Sequence, residues 1–168
     1  MSSNEQLLLH KCILFIQETG IPVHITGQQE ESFLPGINIS NGELFIHEPT
    51  LLYPGDILHE AGHIAVIPAA ERFLLNAVTI AERPDRDAEE MGAICWSYAA
   101  AVHLGISPAF VFHEAGYKGG SASLLENFTA QRYIALPLLQ WMGLTLDEKN
   151  AAAENKRPYP AMIKWLRD

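Results

Sequence analysis

Asp56-Ile57-Leu58-His59-Glu60-Ala61-Gly62-His63-Ile64-Ala65-Val66-Ile67 decides how the rest of this chain is read. Pro54-Gly55-Asp56 gives a turn and an N-cap at its start. Ile57, Leu58, Ala61, Ile64, Ala65 and Ile67 then predict a largely apolar helix over 56–67, ended by Pro68. Within it, His59-Glu60-Ala61-Gly62-His63 has the spacing HExxH. Residues four apart lie one turn apart on one helix face, so both imidazoles reach a single ion. Glu60 projects beside them, near enough to hold a metal-bound water without being a ligand. With 7 His and 15 Glu in 168 residues, the pattern arises by chance about 0.03 times. The competing explanation, a buried helix whose two histidines happen to align, needs that coincidence.

Upstream, 37–39 and 43–47 alternate in hydrophobicity around Ser40-Asn41-Gly42, a hairpin signal, because Asn-Gly supplies the positive φ angles of a tight turn. Residues 21–25 read as a short strand and 28–32 as polar loop. Residues 4–19 read as an amphipathic helix whose buried stripe is Leu7, Leu8, Lys11, Cys12, Phe15 and Ile16. Downstream, 68–84 holds further short helix or strand. The longest helical signal starts at Asp85 or Asp87, runs to Leu104 through Ala88, Gly92, Ala93, Ser97, Ala99, Ala100 and Ala101, and is capped by Gly105. Ser107-Pro108 starts another helix, Lys118-Gly119-Gly120-Ser121 is a loop, and helices follow at 121–133, 136–142 and 159–166. No linker interrupts the pattern. The expectation is one α+β domain spanning 1–168, a small antiparallel sheet packed on a mainly helical body.

Composition narrows the function classes. A hydrophobic content of 48% supports a real core. A net charge of −9 argues against nucleic acid or an anionic membrane as the main partner. The Leu7–Leu9 run is too short for a signal-peptide core, and no apolar run reaches bilayer length. Cys12 and Cys95 make no disulfide framework and have no ligand-spaced neighbour, so a reducing, cytoplasmic setting is expected.

A catalytic zinc takes three protein ligands and leaves its fourth position to water, so a third ligand must come from another segment. The long small-residue helix can approach the HExxH helix closely, and it carries Glu89 and Glu90. Glu90 shares a narrow, apolar face with Ala93, Ile94, Ser97 and Ala101. A carboxylate buried there needs a positive partner, which a zinc ion provides. Glu89 lies nearer Trp96, Ala100 and His103, while Asp85 and Asp87 sit in the first turn, where acids are common for dipole reasons alone. The order of preference is Glu90, then Glu89, then Asp85.

A strand hairpin, HExxH, and an acid 27 positions after His63 (90 − 63) resemble the gluzincin branch of zinc peptidases. Within that branch the chain is most similar to the compact cytoplasmic peptidases of the ImmA/IrrE-like family. Those carry E-x-x-A-(N/D)-x-F-A, whose first Glu binds zinc. Glu90-Met91-Gly92-Ala93-Ile94-Cys95-Trp96-Ser97 matches in the acid, the alanine, the aromatic and the small residue, and departs at Ile94. The register starting at Asp85 keeps a polar fifth position but has Asp where Glu is expected, so the third ligand stays open between them. The resemblance covers about 37–104.

The chemistry expected is that of a zinc-dependent hydrolase acting on a peptide or protein substrate: Zn2+ on His59, His63 and Glu90, a zinc-activated water, and Glu60 as general base. The oxyanion needs a further donor. His113 and Tyr117 are the leading candidates, with Lys118 and Tyr133 behind them. His113-Glu114-Ala115-Gly116-Tyr117 repeats the motif's opening but has Tyr in place of its second histidine, so it is no second zinc site. In the resembling peptidases an edge strand beside the metal pairs with extended peptide, which strand 43–47 would do here; the equal alternative is a hairpin that simply packs on the core. The alternative is an inactive zincin-like metal-binding or interaction domain; an acid between the two histidines favours catalysis, because a structural site has no need of one.

Overall fold

The computed structural model describes residues 1–27 and 34–168. The sequence segment 28–32 read as polar loop lies outside them. Ser2 opens α1 (Ser3–Glu18) with a capping box closed by Glu5. Its buried stripe is Leu9, Cys12, Ile13, Phe15 and Ile16, rotated from the expected one, and Leu7 is 68% exposed. Strands β1 (Val23–Ile25), β2 (Ile37–Ser40) and β3 (Glu43–Ile46) follow. The hairpin forms as expected: Asn41 and Gly42 take φ of 53° and 74°, and Ile37 pairs with Ile46 through to Ser40 with Glu43. Ile37, Ile39, Leu44 and Ile46 alternate inward onto the core.

The sheet is mixed rather than antiparallel, because β1 pairs with β3 in parallel and the strand order is β1-β3-β2. That order puts β3 at the centre. Its backbone groups are engaged on both sides, so it cannot take up a substrate strand. The expectation of a sheet edge at 43–47 is overturned.

The HExxH segment is α2 (Asp56–Ala65). Gly55, not Asp56, occupies its N-cap, and no side chain caps it. Between α2 and the long helix lie a 3-10 turn (Arg72–Leu74) and α3 (Ala77–Glu82), capped by Asn76. Helix α4 (Arg86–Leu104) ends in a left-handed Gly105 and packs closely against α2. The close approach depends on Gly62. A Cβ there would lie 2.8 Å from the carbonyl oxygen of Ala93, which explains a glycine in mid-helix despite its entropic penalty of about 1 kcal/mol.

Beyond α4, Pro108–Phe110 forms only a 3-10 turn, where a helix was expected. Helix α5 (Ser121–Thr129) is shorter than expected, α6 (Leu136–Trp141) is near expectation, and α7 (Glu148–Ala153) was not anticipated. The helix expected at 159–166 is absent. Two prolines bracket Tyr159, and Pro160 has no N–H and disfavours a helical residue before it. The segment's backbone turns instead to residues 144–146, Tyr159 N–H donating to Leu146 and Ile163 N–H to Leu144. The last residues run back over α2: the Arg167 N–H donates to the Ala65 carbonyl and its guanidinium to that of Val66, satisfying acceptors at the helix end. Trp165 meets Trp96 and Phe15 edge-on, and its carbonyl accepts from the Trp96 indole at 2.9 Å. Among the described residues no helix is long and apolar enough to cross a membrane.

Candidate metal centre

The apolar residues of α2 face the core, and this fixes the opposite orientation of its two histidines. Ile57, Leu58, Ala61, Ile64 and Ala65 are fully buried, which turns His59 and His63 toward the N-terminal end of α4. Their Nε2 atoms lie 3.1 Å apart. Glu90 reaches both, Oε1 at 3.5 Å from His59 and Oε2 at 3.2 Å from His63. These are the three side chains whose ligand atoms converge among the described residues. The spacings suit a metal. Ligands about 2.0–2.1 Å from a tetrahedral zinc lie about 3.3–3.4 Å from each other, and two nitrogens plus one carboxylate oxygen are a zinc donor set.

Of the three acids considered, the structure brings Glu90 to the histidines. Its side chain is 44% exposed, so the expected apolar burial does not describe it. The buried carboxylate is its neighbour Glu89, 7% exposed, whose positive partner is Arg83 Nε at 2.7 Å. Asp85 is the exposed N-cap residue of α4 and contributes its backbone carbonyl to the Glu89 N–H.

Burial governs the electrostatics. It drives His59 down to about 3, with the nearby His63 charge adding to the effect and Glu90 opposing it. Burial also pulls His63 down, but its hydrogen bond to Glu90 and the charges of Glu60, Glu90 and Glu89 outweigh this and leave it above its ordinary value. Glu90 is pushed up by burial, yet the His63 hydrogen bond and the charges of His59, His63 and Lys118 hold it below the usual carboxylate range. Glu60 is raised by burial and by Asp56 and Glu90, against the pull of His63. Burial thus works against charge on His59 and Glu60, while the two imidazoles favour charge on Glu90.

Of the two leading donor candidates, Tyr117 meets the site directly, and His113 pairs with Asp56 at the start of α2. The Tyr117 ring meets that of His59 edge-on at 5.3 Å, and its hydroxyl is buried with no hydrogen-bond partner. Tyr117 and Lys118 both hold left-handed backbone, φ 55° and 53°, a strained pair that sets the tyrosine against the metal helix. His113 donates from Nε2 to Asp56 Oδ1 at 2.9 Å and stacks on Tyr53 at 3.8 Å. Asp56 was read as a cap; it is the anchor of His113 and lies one turn before His59 on the same helix. Tyr133 packs with Tyr98, Phe128 and Tyr159 in an aromatic cluster that, among the described residues, joins Tyr117 only through Phe128 and Phe112. Compared with known protein families, curated proteins and solved structures, the chain matches none of them.

Proposed function

We propose that the protein is a zinc-dependent hydrolase of peptide or related amide bonds, working in a reducing cytoplasm where both buried thiols stay free. The observation that carries this reading is the convergence of His59, His63 and Glu90 at coordination spacing, with Glu60 beside them and left out of the ligand set. A zinc ion held there supplies a Lewis acid and lowers the pKa of water. The protein's own residues do the rest. Glu60, its proton affinity raised by burial, takes the proton of the attacking water and passes it to the leaving amine. The unpartnered Tyr117 hydroxyl donates to the oxygen that gains charge, a role open to it because no protein group occupies it. Asp56 holds His113 at the margin of the site, where Tyr53 and the exposed Leu52 offer apolar surface to a substrate side chain. The gluzincin resemblance of 37–104 supports the same reading.

Zinc by elemental analysis, paired with cleavage of a mixed peptide library by wild type and Glu60→Gln, tests it. The expected result is one zinc in both proteins and activity reduced about 10²- to 10⁴-fold in the variant. Zinc in both with cleavage by neither overturns the hydrolase and leaves a metal-binding or interaction domain.

A further inference from the structure

We infer that Arg83 determines which of two adjacent glutamates serves the metal centre and, by holding Glu89 aside, keeps one coordination position open. This rests on the metal centre proposed above. Glu89 and Glu90 lie four and three residues before Ala93, the residue against whose backbone Gly62 packs. Both carboxylates therefore leave α4 on the side that faces α2. Glu89 is the more deeply buried of the two, and its charge is felt at His63. Unrestrained, it is a second anionic oxygen donor beside a divalent cation. A site with four protein ligands is a closed, structural one.

Arg83 removes that donor. Its Nε binds Glu89 Oε2 at 2.7 Å, and Nη2 binds Glu71 Oε2 at 2.9 Å. The planar fork engages two carboxylates at once, which a lysine cannot copy. Pro84 favours extended backbone at Arg83, observed at φ −64° and ψ 137°, just before α4 begins. Glu90, whose ion pairs among the described residues are those with His59 and His63, turns to the histidines. Arg83 is thus a positioning residue: it touches neither substrate nor ligand and acts by occupying a competitor.

Cobalt(II) loading of full-length wild type, Arg83→Gln and Arg83→Gln/Glu89→Gln tests this, using visible absorption and titration with acetohydroxamate, which needs an open coordination position. Wild type is expected to bind the hydroxamate with a spectral shift. Arg83→Gln is expected to keep its cobalt, show an altered spectrum and bind the probe roughly tenfold or more weakly. The double variant is expected to return toward wild type, because an amide is a poor competitor. Glu71→Gln, at a half-exposed position, loosens the fork without touching the core and is expected to shift the same way by less, so the test survives a single variant that fails to fold. An Arg83→Gln or Glu71→Gln protein with the wild-type spectrum and probe affinity overturns the inference, as does a double variant no better than Arg83→Gln. Cobalt and probe binding as expected, without peptide cleavage by the zinc protein, removes the hydrolase and leaves Arg83's role standing; cleavage with an indifferent Arg83 does the reverse.

Discussion

The N-terminal end of α4 carries Glu89 and Glu90 within reach of an arginine and two histidines, while residues 93–101 of the same helix are buried except for the half-buried Tyr98, and Ser97 is the one buried hydroxyl among them. At the first end, side chains are placed by charge, and each carboxylate has a defined cationic or imidazole partner. At the second, small residues bring the helix against its neighbours, and Trp96 fills the remaining volume against Phe15 and Trp165. The apolar part anchors the helix from which the polar end projects its carboxylates. Function and stability are thus separable along one helix, and substitutions can test the separation.

The largest effect falls on the apolar part. Trp96→Ala is expected to lose about 3–5 kcal/mol of stability in urea unfolding, from cavity formation and the lost indole hydrogen bond. A loss below about 1 kcal/mol would break the comparison. Tyr117→Phe should behave oppositely. Its buried hydroxyl has no protein partner, so the melting temperature holds or rises, while kcat/KM falls about 10²-fold. An unchanged rate removes Tyr117 from the mechanism.

Gly62→Ala probes the junction of the two ends. The new methyl meets the Ala93 backbone, and the expected result is about 1–3 kcal/mol of destabilisation together with weaker zinc binding, read by competition with a chelator. The smallest effect is pH-dependent. His59, held to about 3, is already neutral above pH 5, and Glu90 is already ionised, whereas His63 is raised and must lose a proton to bind metal. Zinc affinity of the folded protein should therefore fall about tenfold per pH unit below the His63 transition, one proton per ion. Calorimetry in buffers of different ionisation heat counts that proton. A count of two would show that both imidazoles titrate together.

The histidine pair was legible because its geometry is local: four residues on a helix fix two side chains without knowledge of anything else. The hairpin was legible for the same reason, Asn41-Gly42 stating its own turn. The third ligand was not local. The residue favoured in sequence, Glu90, is the one beside the histidines, yet the argument that a buried carboxylate needs a cation describes Glu89, whose cation is Arg83. Only the packing of α2 on α4 separates the two. The His113–Asp56 pair joins residues 57 apart, a distance no spacing rule spans. Strand β3 was misplaced at an edge because hairpin periodicity says nothing about a third strand, and β1 closes that side. In the C-terminal part, the helix expected at 159–166 gives way to pairing with 144–146, a contact that no local pattern states. Helix α7 went unread although Asp147 caps it by accepting from the Asn150 N–H.

His63 and Glu90 belong to different helices, separated by a turn, a short helix and two prolines. An ion shared between them would tie a loop of 27 residues (90 − 63). In chain-entropy terms that cross-link resembles a disulfide closing the same span, worth about 3–4 kcal/mol against the unfolded chain. A protein with two unpaired cysteines would in this way carry a removable staple, one that a chelator opens and a reductant does not.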